Sequence, residues 1–190
     1  MNEGLIKDVY EKVIKELQTL ITLSYLLMVA VGMVFKYHLF IEFGINIFDY
    51  ADVFEFLIAP FSDPKILLFT FISMIFSYAI IRMDIIWKKK FPRWYSISNF
   101  GMDKKKWFKI YRRVLLASIF VLYLFLAAGL YAKYTVKKIK KQSPVEITFS
   151  DNSTSNGILV GKTKDMLFLL KDNRVHAIPL SSSVKEYQIN

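Results

Sequence analysis

Cysteine is absent from all 190 residues. A disulfide scaffold, a thiolate nucleophile and a cysteine-ligated metal are thereby excluded. Histidine is almost missing as well: His38 and His176 are the two, and neither has a motif around it. No P-loop, paired catalytic carboxylates or nucleophile signature can be read. The expectation is a protein that is not an enzyme and that uses no cofactor and no metal. Charge is lacking over long stretches too. Leu17–Phe35 and Val114–Ala132 each run 19 residues without a charge, and Ile66–Ile81 runs 16.

What is present is an apolar fraction of 54%, an aromatic fraction of 16%, and 26 Lys+Arg against 16 Asp+Glu, a net charge of +10. A soluble domain carries about 45–50% apolar residues even with glycine included. The hydrophobicity excludes a disordered chain. A helix needs about 20 apolar residues to cross about 30 Å of hydrocarbon. Three charge-poor windows leave too little polar surface to cover them, so they are expected to span a membrane, at about residues 17–41, 64–87 and 107–132. The short middle window is helped by Lys65 and Arg82, which can snorkel to the interface.

The first 16 residues carry three Lys and four acids, unlike the short basic start of a secretory signal. Leu5, Ile6, Val9, Tyr10, Val13, Ile14 and Leu17 recur at helical spacing. Glu3–Lys7, Asp8–Lys12 and Glu11–Lys15 are favourable i,i+4 pairs. A helix starting near residue 4 should therefore run unbroken into the first span.

Basic residues set orientation, and acids count for little. Eleven lie between Arg82 and Arg113, whereas the interior of the first loop has none. The expected topology is a multi-pass protein of the cell's inner membrane, with the N-terminus and loop 2 cytoplasmic and loop 1 and the C-terminal tail outside. The five lysines of Lys133–Lys141 oppose the last step, but reversing the chain would translocate the larger cluster.

Loop 1 is aromatic and acidic. From Asp49 to Ala59, Tyr50, Val53, Phe54, Leu57 and Ile58 share a helical face, with Phe56 the misfit, and Asp49, Asp52 and Glu55 share the other. This predicts an amphipathic helix at the outer headgroup level, its acidic trio either a solvated face or a cation-holding mouth. Gly44 suits a turn before it. Ser62 or Asp63 followed by Pro64 reads as a cap and first helical residue. Loop 2 interleaves aromatics with Lys88, Lys89, Lys90, Arg93, Lys104, Lys105, Lys106, Arg112 and Arg113. These suit nucleic acid or phosphoinositide-like head groups, but read more strongly as membrane-surface cations with an aromatic belt. Asp103 is a candidate cap for the third span's helix. In span 2, Thr70, Ser73 and Ser77 form a hydroxyl stripe, as helix packing or an oligomeric pore would require.

Composition changes after Pro144. Short apolar runs alternate with turn residues at roughly nine-residue spacing, which predicts a separate small all-β barrel over 142–190 behind a membrane domain over 1–141. Val145, Ile147, Phe149, Leu159, Phe168, Leu170, Ile178 and Ile189 are its expected core. Gly157 and Gly161 would serve tight bends. The strand pattern, with Ser181–Ser183 before the last strand, resembles SH3-like and Sm-like barrels. Three spans followed by such a module resemble, in architecture, the small-conductance mechanosensitive channels. That resemblance implies a glycine- and alanine-rich third helix and a cytoplasmic β domain; here span 3 has one glycine, Gly129, and the tail is expected outside.

Two functional readings follow. One is a non-enzymatic membrane accessory or assembly protein, embedded in the lipid bilayer, whose β-module contacts a co-encoded partner or its own copies as a homo-oligomer. The other is a homo-oligomeric, channel-like pore of a bacterial defence or toxin system.

Overall fold

The computed structural model describes residues 2–188, with side chains from residue 14 onward apart from Lys109, Tyr187 and Gln188. The expected N-terminal stripe up to Val13, the pairs Glu3–Lys7, Asp8–Lys12 and Glu11–Lys15, and Ile189 therefore involve side chains outside the described set. The helices are α1 (Asn2–Ile41), α2 (Val53–Ser62), α3 (Pro64–Lys90), α4 (Pro92–Ser98) and α5 (Phe108–Ile139). The strands are β1 (Val145–Phe149), β2 (Thr154–Lys162), β3 (Met166–Lys171), β4 (Arg174–Pro179) and β5 (Val184–Gln188), with a single helical turn, α6 (Leu180–Ser183), before the last.

Ile14–Ile41, Pro64–Lys90 and Ile110–Ile139 are long and apolar enough to cross a membrane. Their ends are fixed by local chemistry. Gly44 turns the chain after α1 with φ +73°, a conformation that costs glycine little. Asp52 caps α2 by accepting from the Glu55 N–H at 3.0 Å. Asp63 caps α3 by accepting from the Lys65 N–H at 3.0 Å, and Pro64 occupies the first helical turn, where its missing N–H is harmless. Asp103 does not cap α5. It sits in a separate turn, Met102–Lys104, where its Oδ1 accepts from the Ser96 hydroxyl at 2.9 Å. The first residue of α5 comes five positions later, and no side chain caps it.

The bundle is packed unequally along its length. Val29, Val31, Phe35, Leu39 and Phe40 of α1 are buried together with Phe56, Ile66, Leu124, Ala128 and Tyr131 near the loop 1 end. Toward the other end, Leu17, Leu20, Ile21, Leu23, Leu26 and Leu27 of α1 are all exposed. There the α3–α5 pair leaves these α1 side chains uncovered.

The tail is an antiparallel five-stranded sheet in the order β4-β3-β2-β1-β5. It is not a closed barrel: β4 and β5 lie at opposite ends of the order and have no mutual pairing. Strand β2 spans both halves, pairing β1 through Thr154–Gly157 and β3 through Ile158–Lys162, with a register shift between Leu159 and Gly161. Asp172 and Asn173, both at positive φ, make the two-residue turn joining Lys171 to Arg174, as a hairpin of primed type requires. The physical reason for the open form lies in β3. Its run Leu167, Phe168 and Leu169 is buried throughout, as in a strand covered on both faces. Val145, Ile147, Leu167 and Leu169 form the sheet's own core. Phe168 and Val160 instead join the core of the helix bundle. The apolar surface that would line a closed barrel is divided between two cores.

Candidate functional site: the two ends of the bundle

The loop 1 end is where the sheet meets the membrane helices. Phe168 packs edge-on against Phe40 of α1 at 5.3 Å between ring centroids and against Tyr50 of loop 1 at 5.3 Å. Gly161 makes the approach possible: a Cβ there would lie 2.9 Å from the Phe40 ring. Glu55 closes the contact, accepting from the Lys164 backbone N–H at 2.6 Å. On the α5 side, the Tyr131 hydroxyl donates to Asp63 Oδ2 at 2.8 Å, while its ring packs against Phe35 at 5.3 Å. Asp63 thus serves two helices, capping α3 and anchoring α5.

Helix α2 packs on the bundle through residues outside its expected apolar face. Phe56, the misfit of the expected face, is buried with Ala59 and Pro60. Val53, Phe54 and Ile58 are exposed. The backbone of α2 lies so close to α1 that a Cβ on Gly32 would fall 1.8 Å from the Phe56 carbonyl oxygen. The signal was in the sequence: Gly32 is the one glycine between Leu17 and Phe35, and small residues in spans mark close helix contact. Sequence periodicity gives no hint of the Glu55–Lys164 or Tyr131–Asp63 links, which join residues 109 and 68 positions apart.

The acidic trio of loop 1 is distributed over separate tasks. Asp49 accepts from the Asn46 side-chain amide at 2.9 Å, Asp52 caps α2, and Glu55 holds the β2–β3 turn. No group of three metal-ligating side chains converges among the described residues.

The hydroxyl stripe of α3 faces α5 within one chain. Ser73 and Ser77 are buried, and Thr70 is half-buried. Ser73 Oγ donates to the Phe69 carbonyl at 2.9 Å and reaches the Tyr123 carbonyl of α5 at 3.5 Å. Thr70 and Ser77 donate to Ile66 and Ser73 carbonyls on their own helix, at 2.7 and 2.8 Å.

The loop 2 end is built differently. Lys88, Lys89, Lys90, Arg93, Lys104, Lys105, Lys106 and Arg113 are exposed, and Arg112 is half-buried, paired with Asp84 of α3. Tyr95 of α4 is the buried pivot, edge-on to Trp87 at 5.7 Å and beneath the Lys88 ammonium at 5.7 Å. Burial, and then the Asp84 charge, push the Tyr95 hydroxyl's pKa up. Trp94, Ile97 and Phe100 point outward, with Phe100 88% exposed. That is an aromatic collar of the kind that sits at headgroup level. Beside it lies a cavity of about 550 Å³ lined by Lys88, Lys104, Lys105, Lys106, Arg112 and Arg113, with Asp103 the one acid.

His38 Nδ1 lies 2.8 Å from the Val34 carbonyl, and His176 is exposed on β4. Compared with protein-family models, curated proteins and solved structures, the chain finds no match in any of the three.

Proposed function

We propose that this chain is a non-enzymatic integral membrane accessory or assembly protein of the inner membrane. In this reading the helices anchor it, and the sheet, on the outer side, contacts its own copies or a co-encoded partner. One observation carries the reading: the sheet is held on the loop 1 end of the bundle while its two terminal strands, β4 and β5, have no strand beyond them among the described residues. A free edge presents a row of unpaired backbone donors and acceptors, a ready template for another strand. A β4 edge on one copy and a β5 edge on the next can pair head to tail.

A channel at an oligomer axis would need the Thr70–Ser73–Ser77 face turned toward that axis. Ser73 and Ser77 are buried inside one chain, so the accessory reading is favoured.

The test mixes two single-cysteine proteins, His176→Cys and Glu186→Cys, which the cysteine-free background allows. The mixed sample, reconstituted in liposomes, should form heterotypic disulfide dimers in excess of either homotypic product. A wild-type protein that is monomeric by light scattering, after subtraction of the micelle, and that gives no heterotypic cross-link would refute self-contact through the edges. Ion conductance by the liposomes would instead favour the channel.

A further inference from the structure

The basic cavity at the loop 2 end does not stand alone. A second void of about 510 Å³ runs along the membrane face of the bundle. Its walls are Leu27 of α1, Met74, Tyr78 and Ile81 of α3, and Ala117 and Phe120 of α5. Arg113 and Leu116 line both voids, so the basic cavity and the apolar groove are neighbours with a shared wall. The groove follows α3 from Met74 to Ile81, seven rises of about 1.5 Å, or about 10 Å along the axis. That is about two-thirds of a single leaflet of about 15 Å.

We infer that the two voids form one site for an anionic diacyl phospholipid. The phosphate-bearing headgroup sits among Lys88, Lys104, Lys105, Lys106 and Arg113, and one acyl chain fills the groove between α1 and the α3–α5 pair. Three observations carry this. The first is charge: six cations line the cavity against one acid, and that acid already accepts from Ser96. Arg112 is engaged by Asp84, and it shapes the wall rather than adding a free charge. The second is adjacency. A soluble phosphate needs a basic cavity and no apolar groove, and a bulk lipid tail needs a groove and no cations; here the two lie side by side, sharing Arg113 and Leu116. The third is the splay of α1. Leu27 is exposed yet forms one wall of the groove, so a chain seated there fills space that the protein's own helices leave open. The uncapped first turn of α5, whose Phe108 lines the cavity, adds the positive end of a helix dipole to the same region. The cavity volume falls within the range of about 300–1,000 Å³ usual for small-molecule sites.

The site is independent of the accessory reading above, and it stands for either orientation of the chain in the membrane.

The test uses the full chain in mild detergent, with retention of added lipid read by native mass spectrometry. The probes are dioleoyl-phosphatidylglycerol, dioleoyl-phosphatidylcholine, glycerol 3-phosphate, and a short single-stranded RNA. Phosphatidylglycerol should be retained at one copy per chain with about tenfold preference over phosphatidylcholine. The double variant Lys105→Gln/Lys106→Gln should erase most of that preference. Ala117→Phe, which fills the groove and removes no cation, should reduce retention of the diacyl lipid while leaving its charge preference intact. Thermal melting of each variant separates lost binding from lost folding. Equal retention of the two lipids would overturn the inference. So would binding of glycerol 3-phosphate as tight as that of phosphatidylglycerol, which marks a free-phosphate site. RNA binding that displaces the lipid and is lost in the lysine variant would overturn it as well.

Discussion

The two ends of the helix bundle solve opposite problems. At the loop 1 end, every neighbouring element is braced by another. Phe56 and Gly32 seat α2 on α1, Asp63 joins α3 to α5 through Tyr131, and Glu55 and Phe168 hold the sheet. At the loop 2 end, cations crowd a cavity with one acidic lining residue and α1 stands clear of its neighbours. The difference follows from the surroundings. Beyond the hydrocarbon, burying apolar surface is favourable by about 25 cal/mol per Å², so aromatic side chains of loop 1 and the sheet gather into one core. Within the hydrocarbon that term vanishes, and a helix without small residues or polar links to its neighbours need not close on them.

The strongest way to break the closed end is Phe168→Ala. Removing a ring that bridges Phe40 and Tyr50 should cost about 3–5 kcal/mol, read by equilibrium unfolding in mixed micelles. Because the ring belongs to the docking contact, Phe40→Ala should act on the same interaction. The double variant should then be clearly less destabilised than the sum of the two; simple additivity would show that Phe168 serves the sheet alone. Next in size is Gly32→Ala. A methyl group 1.8 Å from the Phe56 carbonyl oxygen must push α2 away, at a cost of about 1–3 kcal/mol, with faster proteolysis of loop 1 as a second readout. Glu55→Ala removes one charged acceptor and should cost about 1–2 kcal/mol. At the open end, Lys105→Gln/Lys106→Gln should change stability by no more than about 0.5 kcal/mol in lipid-free detergent. A large loss there would mean that these lysines brace the fold after all.

Much of this architecture was legible. Charge-free runs of 19 and 16 residues mark the three helices that are long and apolar enough to cross a membrane, because length and apolarity are the whole requirement. Gly44 and the Asp63–Pro64 pair act through their own backbones, so a local reading finds them. The seating of α2 was not legible. Where both protein and lipid are apolar, a hydrophobic face does not say which of the two it meets, and Phe56 reads as a misfit although it is the residue that docks. The closure of the sheet was hidden for a related reason. The run Met166–Leu170 shows that β3 is buried on both faces, but not that a helix bundle supplies one cover. The cations of loop 2 were evident one by one; their convergence on a cavity beside a groove depends on how α3 and α5 pair.

The central claim is that the sheet docks on loop 1, on the opposite membrane face from loop 2. Single cysteines at Asn46, Lys164 and Ser98, all exposed positions, can be probed with a membrane-impermeant maleimide in intact cells and again after permeabilisation. The account predicts that positions 46 and 164 label together in intact cells and that position 98 labels only after permeabilisation. Labelling of 98 alone in intact cells would reverse the proposed orientation but keep the docked fold. Labelling of 164 together with 98, and apart from 46, would contradict it.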